Sequence, residues 1–392
     1  MKMSSELPEE LKALRAKVLA KLSPLKPADE QSKAPKNFLF VAKRTDAGRK
    51  LPPYYLVYFL LVDFLGFRDV GRFEKVAWSI PVDLGGVAFL IEHRKFGCGV
   101  FAADLPAQEE QAAEIVRLIH KAAKLAKPYF EWRAATAAAS SKLNVHNHGH
   151  QLFERFEYML AEYRAKTKEA AEKSGQSVTR ELSNGGTVTT FPFMKLDREA
   201  RWLALAAIES FFSWTEHIFI HLAILSGRAT TGAQVSELAK ADWADKFKAA
   251  IPLGDPETKT FYDKLVSIRR QLRNAVAHGS FGKQGEAFRF HSNAGAVPLL
   301  LPHQAAKETY SFGSGIEYLD DEAIDVLESF IEHLWSGPLG PARLYIQESA
   351  LPLILTMAAN GEYAKAMQSE EDMTALLERL NYTFDQSANM DW

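Results

Sequence analysis

A helix-dominated α+β fold is what this sequence predicts, and three observations carry the prediction. Apolar residues recur at helical spacing through long stretches, above all 104–126, 151–174, 197–226 and 261–280. Between residues 75 and 103, short apolar runs are punctuated by Gly85-Gly86 and Gly97, which is how strands joined by tight turns read. The composition, 47% apolar and 24% charged over 392 residues, is that of a globular chain long enough for two or three domains with proper cores.

Taken in order, residues 8–22 place Leu11, Leu14, Val18 and Leu22 on one stripe of a short amphipathic helix. The polar, Pro-containing stretch 26–37 reads as a linker, which makes residues 1–37 an N-terminal helix and linker. Residues 38–135 read as a small α/β domain. It has a helix over 53–64, a strand over 75–80, hairpin arms over 82–92 and 98–103, and a helix from Asp104 to about Ala126. The Ala-rich run 134–139 leaves open whether the helix continues. Residues 136–195 form a connecting helix (151–174) and a hairpin turning at Asn184-Gly185-Gly186.

The segment 196–340 reads as a helical bundle with β-hairpin insertions. Its first helix, from Asp197 to about Ser226, is apolar nearly all round, as a central element is. Glu209 and Glu216 in that run need partners, from a dimer interface or from an Arg of the helix over 261–280, unless they form a solvated stripe. A second helix covers about 234–250, and Asp255-Pro256 opens the next with a capping carboxylate and a first-turn Pro. Residues 286–292 and 296–302 read as paired strands, and Asp320-Asp321 caps a closing helix over 322–334. Two further helices occupy 341–392, at 350–359 and 370–380.

Several classes are excluded or disfavoured. A net charge of −2 argues against a protein wholly devoted to coating nucleic acid, though not against a local basic patch. The single cysteine, Cys98, permits no intrachain disulfide and no thiolate metal cage, so the default location is cytoplasmic. The N-terminus lacks the apolar core of a signal peptide, and no run approaches the roughly 20 apolar residues that span a bilayer. No phosphate-binding loop, dinucleotide fingerprint, zinc-protease helix or nucleophile elbow is found.

The stretch with chemistry is 261–280. Phe261, Leu265, Ile268, Leu272 and Val276 form its apolar stripe, leaving Arg270, Arg273, Asn274 and His278 on the opposite side. Arg binds phosphate oxygens in pairs, His exchanges a proton near neutrality, and Asn orients a hydroxyl or the ring. Gly279 suits the left-handed residue that ends a helix. The competing explanation is a positive last turn that merely complements the helix dipole.

The run Arg273-Asn274-Ala275-Val276-Ala277-His278 resembles the R-x(4–6)-H motif of the HEPN superfamily, including the polar residue directly after the Arg. The resemblance covers roughly residues 196–340. It implies an up-and-down helical bundle that homodimerises through the motif helices, with RNA as substrate. It also implies a metal-independent endoribonuclease with no cofactor, in which His278 is the general acid/base, Arg273 the phosphate clamp and Asn274 a positioning residue. Arg270, Arg289, His291 and Glu209 are further substrate-binding candidates. A toxin or phage-defence role, with an antitoxin or sensor protein as regulator, follows from the same resemblance. The alternative it leaves is a non-catalytic nucleotide-binding, RNA-binding or dimerisation module.

One other cluster stands out. His146, His148 and His150 would point one way on a strand, and three imidazoles can hold a zinc ion. Gly149 and the lack of a neighbouring carboxylate or thiolate favour a polar loop before a helix, so no metal is assigned.

Overall fold

The computed structural model describes residues 7–277, 289–292, 299–304, 309–310 and 320–391, and for those between 274 and 310 only the backbone. Within that set the fold is α+β and predominantly α. The chain divides into two compact units, residues 1–140 with 378–392, and residues 141–377.

The first unit is a five-stranded antiparallel sheet with helices. Its elements are α1 (Glu9–Leu22), β1 (Lys26–Pro27), α2 (Phe38–Val41), β2 (Lys43–Arg44), α3 (Tyr54–Tyr58, continued by a π-helical turn over Phe59–Phe64), β3 (Val76–Leu84), β4 (Val87–Arg94), β5 (Gly97–Ala102), α4 (Glu109–Leu125) and α5 (Lys127–Ala139). The strand order is β1-β3-β4-β5-β2. Ile80, Val82, Phe89, Ile91 and Val100 alternate onto the face buried with Val18, Leu60, Ile115 and Ile119 from the helices. Leu90 and Phe101 point the other way and pack with Phe38 and Ala42.

Two expectations change here. The stretch read as a linker supplies β1, whose Lys26 pairs with Asp83. The hairpin arm expected over 82–92 is instead the end of β3, a turn at Gly85-Gly86 and the start of β4. Pro81 lies within β3, where its carbonyl accepts from Ala28 and its missing N–H falls at the end of the very short β1. A Pro is tolerated at such an edge. Both turn glycines have positive φ, +66° and +83°, where a side chain would be strained.

The second unit begins with β6 (Asn144–Val145) and α6 (Gly149–Glu172), then the solvent-facing hairpin β7 (Val178–Glu181) and β8 (Thr187–Thr190). It continues with α7 (Pro192–Leu225), α8 (Gly232–Lys240), α9 (Trp243–Ala250), α10 (Pro256–Ala277), β9 (Arg289–Ser292), β10 (Leu299–Gln304), β11 (Thr309–Tyr310), α11 (Asp320–Ser336), α12 (Gly340–Arg343), β12 (Leu353–Ile354), α13 (Leu355–Ala359), α14 (Glu362–Ala366) and the start of α15 (Glu370–Asn389), which crosses into the first unit at residue 378. The connecting helix and the bundle segment therefore share one unit, because α6 lies along α7.

Helix α7 is the central element, with α6, α9, α10 and α11 packed around it. Phe211, Phe212 and Phe219 meet Trp243, Phe247 and Phe330 edge-on, with Phe219 and Phe247 centroids 5.1 Å apart. The Trp243 indole N–H donates to Thr215 Oγ1 at 2.9 Å, and that hydroxyl donates to Phe211 O, so no polar atom of the pair is orphaned. The single helix expected over 234–250 is two, since Asp242 adopts an extended conformation ahead of α9. Asp255 caps α10 as its sequence suggests, accepting from the Thr258 N–H at 2.7 Å. Leu265, Ile268 and Leu272 are buried, as the stripe on that helix requires.

A candidate site between two helices of the second unit

Glu209, Phe212, Ser213, Glu216, His217 and Ile220 recur at steps of three and four along α7, so they share one face. Arg269, Leu272 and Arg273 do the same on α10. Together with Leu152 of α6 these residues line a cleft of about 600 Å³. Its lining combines apolar side chains with two guanidiniums, two carboxylates and an imidazole. Such a mixture suits a ligand with both an anionic group and hydrogen-bonding edges.

Part of this charge is internally balanced. Lys246, 3% exposed, donates to Glu216 Oε1 at 2.5 Å, while Arg269 stands 3.6 Å from Glu216 Oε2. Arg269 also lies over the Trp243 ring, its Cζ 5.8 Å from the centroid. The partner that Glu216 requires thus comes partly from α10, through Arg269, as one of the two expected sources. Glu209 and Arg273 are different. Among the described residues neither has an ion pair, and both open on the cleft.

The sequence-derived candidates separate accordingly. Arg273 and Glu209 come together on the cleft, while Arg270 is exposed on α10 and is not part of its lining. Asn274 lies on the last turn of α10, next to Arg273. Arg289 and His291 occupy β9 in register with Pro302 and Leu300 of β10. His278 falls outside the described residues. Three residues escaped the sequence reading: Arg269, His217 and Lys246. The signal was present for the first two, as Arg269 is one turn before Arg273 and His217 one turn after Ser213 in an otherwise apolar helix.

The histidine cluster is arranged around α7 rather than as three ligands on a strand. Strand β6 ends at Val145 and α6 begins at Gly149, so the residues between them form a short loop. The His146 and His148 rings stack at 5.9 Å, while His150 turns to Glu154 at 3.3 Å. Among the described residues no group of three or more His, Cys, Asp and Glu side chains is placed to hold a metal ion. Instead, the main-chain N–H of His148 donates to Nε2 of His217 at 2.9 Å. His221, 1% exposed, has Nδ1 at 2.9 Å from His217 O and Nε2 at 2.9 Å from His146 O. Burial pushes the His217 imidazole down to about 3, and the nearby His221 and His148 add to the effect. Burial also holds His221 below its ordinary range, against the pull of the two carbonyls.

Among the described residues no helix is long and apolar enough to cross a membrane. No family model, curated protein or solved structure matches this chain.

Proposed function

We propose that this chain is a metal-independent endoribonuclease of HEPN type, acting as a homodimer on RNA held against α10. The observation that supports it is the guanidinium of Arg273, which has no ion pair among the described residues and opens on the cleft within one turn of the helix end where Asn274 lies. An unpaired Arg is a ready phosphate ligand, binding two oxygens at once. In this reading Arg273 holds the scissile phosphate and Asn274 orients the substrate. His278 takes the proton of the ribose 2′-hydroxyl as that oxygen attacks phosphorus. The 5′-oxygen leaves and collects a proton, so the products are a 2′,3′-cyclic phosphate and a 5′-hydroxyl. Arg269 supplies a second positive charge where negative charge builds in the transition state. A cytoplasmic toxin or defence effector under the control of an antitoxin or sensor protein fits such an activity.

The test is to incubate the purified full chain with mixed RNA in EDTA and to identify the new termini. Cyclic phosphate ends that disappear with Arg273→Ala support the reading. Intact RNA that nonetheless binds with an affinity dependent on Arg273 would replace it with a binding module.

A further inference from the structure

His217 lines the cleft, yet nothing in the chemistry above uses it. Its Nε2 accepts a hydrogen bond from a main-chain N–H, and a main-chain N–H can only donate. Nε2 therefore carries no proton, and in the neutral ring the proton is on Nδ1. Nδ1 has no protein partner among the described residues, and it is not one of the buried polar atoms left without one. It is an accessible donor whose tautomer is set by the protein.

The loop that sets it is held in turn. His221 contacts the carbonyls of both His146 and His217, and the Asn147 amide donates to Tyr345 O and Ser349 O at 3.0 Å each. Asn147 Oδ1 also accepts from the Gly149 N–H at 2.9 Å. There is no room for a side chain at Gly149, where an added Cβ would lie 2.5 Å from Ile346 O. The His146 to Gly149 loop is thus pinned at three residues, and His148 N–H has a defined position against the ring.

We propose that His217 is a fixed-tautomer hydrogen-bond donor, giving its Nδ1–H to a phosphodiester oxygen of RNA bound in the cleft, with the His148 main-chain N–H as the positioning group. This rests on the reading of the cleft as an RNA site. Taking a proton at Nε2 would break the bond from His148, so His217 is not an alternative acid/base. It binds the substrate, and it does so uncharged. The groups that face it are the His148 and His221 rings, Glu209 and Glu216 on its own helix, and Arg269 and Arg273 on α10. Burial and the two neighbouring rings oppose protonation of this imidazole, which agrees with a neutral donor.

The experiment uses the full chain labelled with ¹⁵N-histidine and a 2′-O-methyl RNA oligonucleotide, which binds but has no 2′-hydroxyl to attack with. His217 is expected as the Nδ1–H tautomer from pH 5 to 8, with its Nδ1 resonance moving on addition of the oligonucleotide. His217→Phe should weaken binding by about 3- to 10-fold, the loss of one hydrogen bond. His217→Gln, which keeps an N–H donor, should bind within about twofold of the parent. If unmodified RNA is not cleaved but the oligonucleotide binds and shifts the Nδ1 resonance, the nuclease reading fails and the donor assignment stands. Oligonucleotide binding with an unmoved His217 resonance and unchanged affinity in His217→Phe overturns the donor assignment alone. No binding at all overturns both.

Discussion

The ammonium of Lys246 is almost wholly buried and finds its counter-charge in Glu216, 2.5 Å away on the neighbouring helix. Glu216 is 40% exposed in its side chain, so one end of this pair reaches the cleft while the other is inside the core. Removing the carboxylate strands a buried cation, whereas removing the cation leaves a carboxylate that water can still reach. Glu216→Ala is expected to cost about 1–3 kcal/mol of stability. Adding Lys246→Met to it should recover part of that loss, because the stranded charge is then gone. Urea unfolding of the single and double variants checks this, and a double variant less stable than Glu216→Ala would contradict it.

Stability should also depend on pH through the histidines of α7. His217 and His221 are both held below the ordinary range when folded, while in the unfolded chain each titrates near about 6.5. The unfolded state therefore binds more protons as the pH falls. The folded protein keeps its full stability above about pH 6.5 and loses it progressively toward the low folded values. His217→Gln lacks one of these groups. Its urea midpoint should fall less steeply between pH 6.5 and 5 than that of the parent, and parallel curves would be evidence against the assignment.

His278→Ala should abolish cleavage while leaving the far-UV spectrum and the unfolding midpoint unchanged. General acid/base catalysis contributes about 10²–10⁴ in rate, so the loss is expected to be at least about 100-fold. Cleavage at the parent rate would mean that the proton is moved by another group.

For the proposed homodimer, Ala277 on the last turn of α10 is the place to intervene. A small residue there permits a second helix to approach closely, and pairing two motif helices concentrates the positive charge that a chain of net −2 lacks. Ala277→Trp is expected to turn a dimer into a monomer and to abolish activity at the same time. Light scattering showing a monomeric parent that still cleaves RNA at low concentration would rule out the shared site. The apolar circumference of α7 does not by itself argue for a partner. Much of it is covered within the chain, although Trp202 at 61% exposed and Met194 at 60% remain open.

By itself the sequence determined the helices with strong periodicity and the residues that end them. α1, α6, α7 and α11 lie within a few residues of where the pattern puts them, and the Asp255 cap and the Gly85-Gly86 turn need only local chemistry. It also singled out Arg273 and Glu209, the polar residues that interrupt an apolar face or end it. Only the tertiary structure decided that β1 is a strand, because two residues are extended by their pairing with β3 and have no pattern of their own. The same holds for the site. Arg269 and His217 are 52 positions apart and meet only because α10 packs on α7. The three histidines written close together are parted by the start of α6, while His148 finds His217 across 69 positions. Spacing along a chain reveals what shares a helix face. Which faces come together is set by side-chain volume and burial, and those are properties of the packed whole.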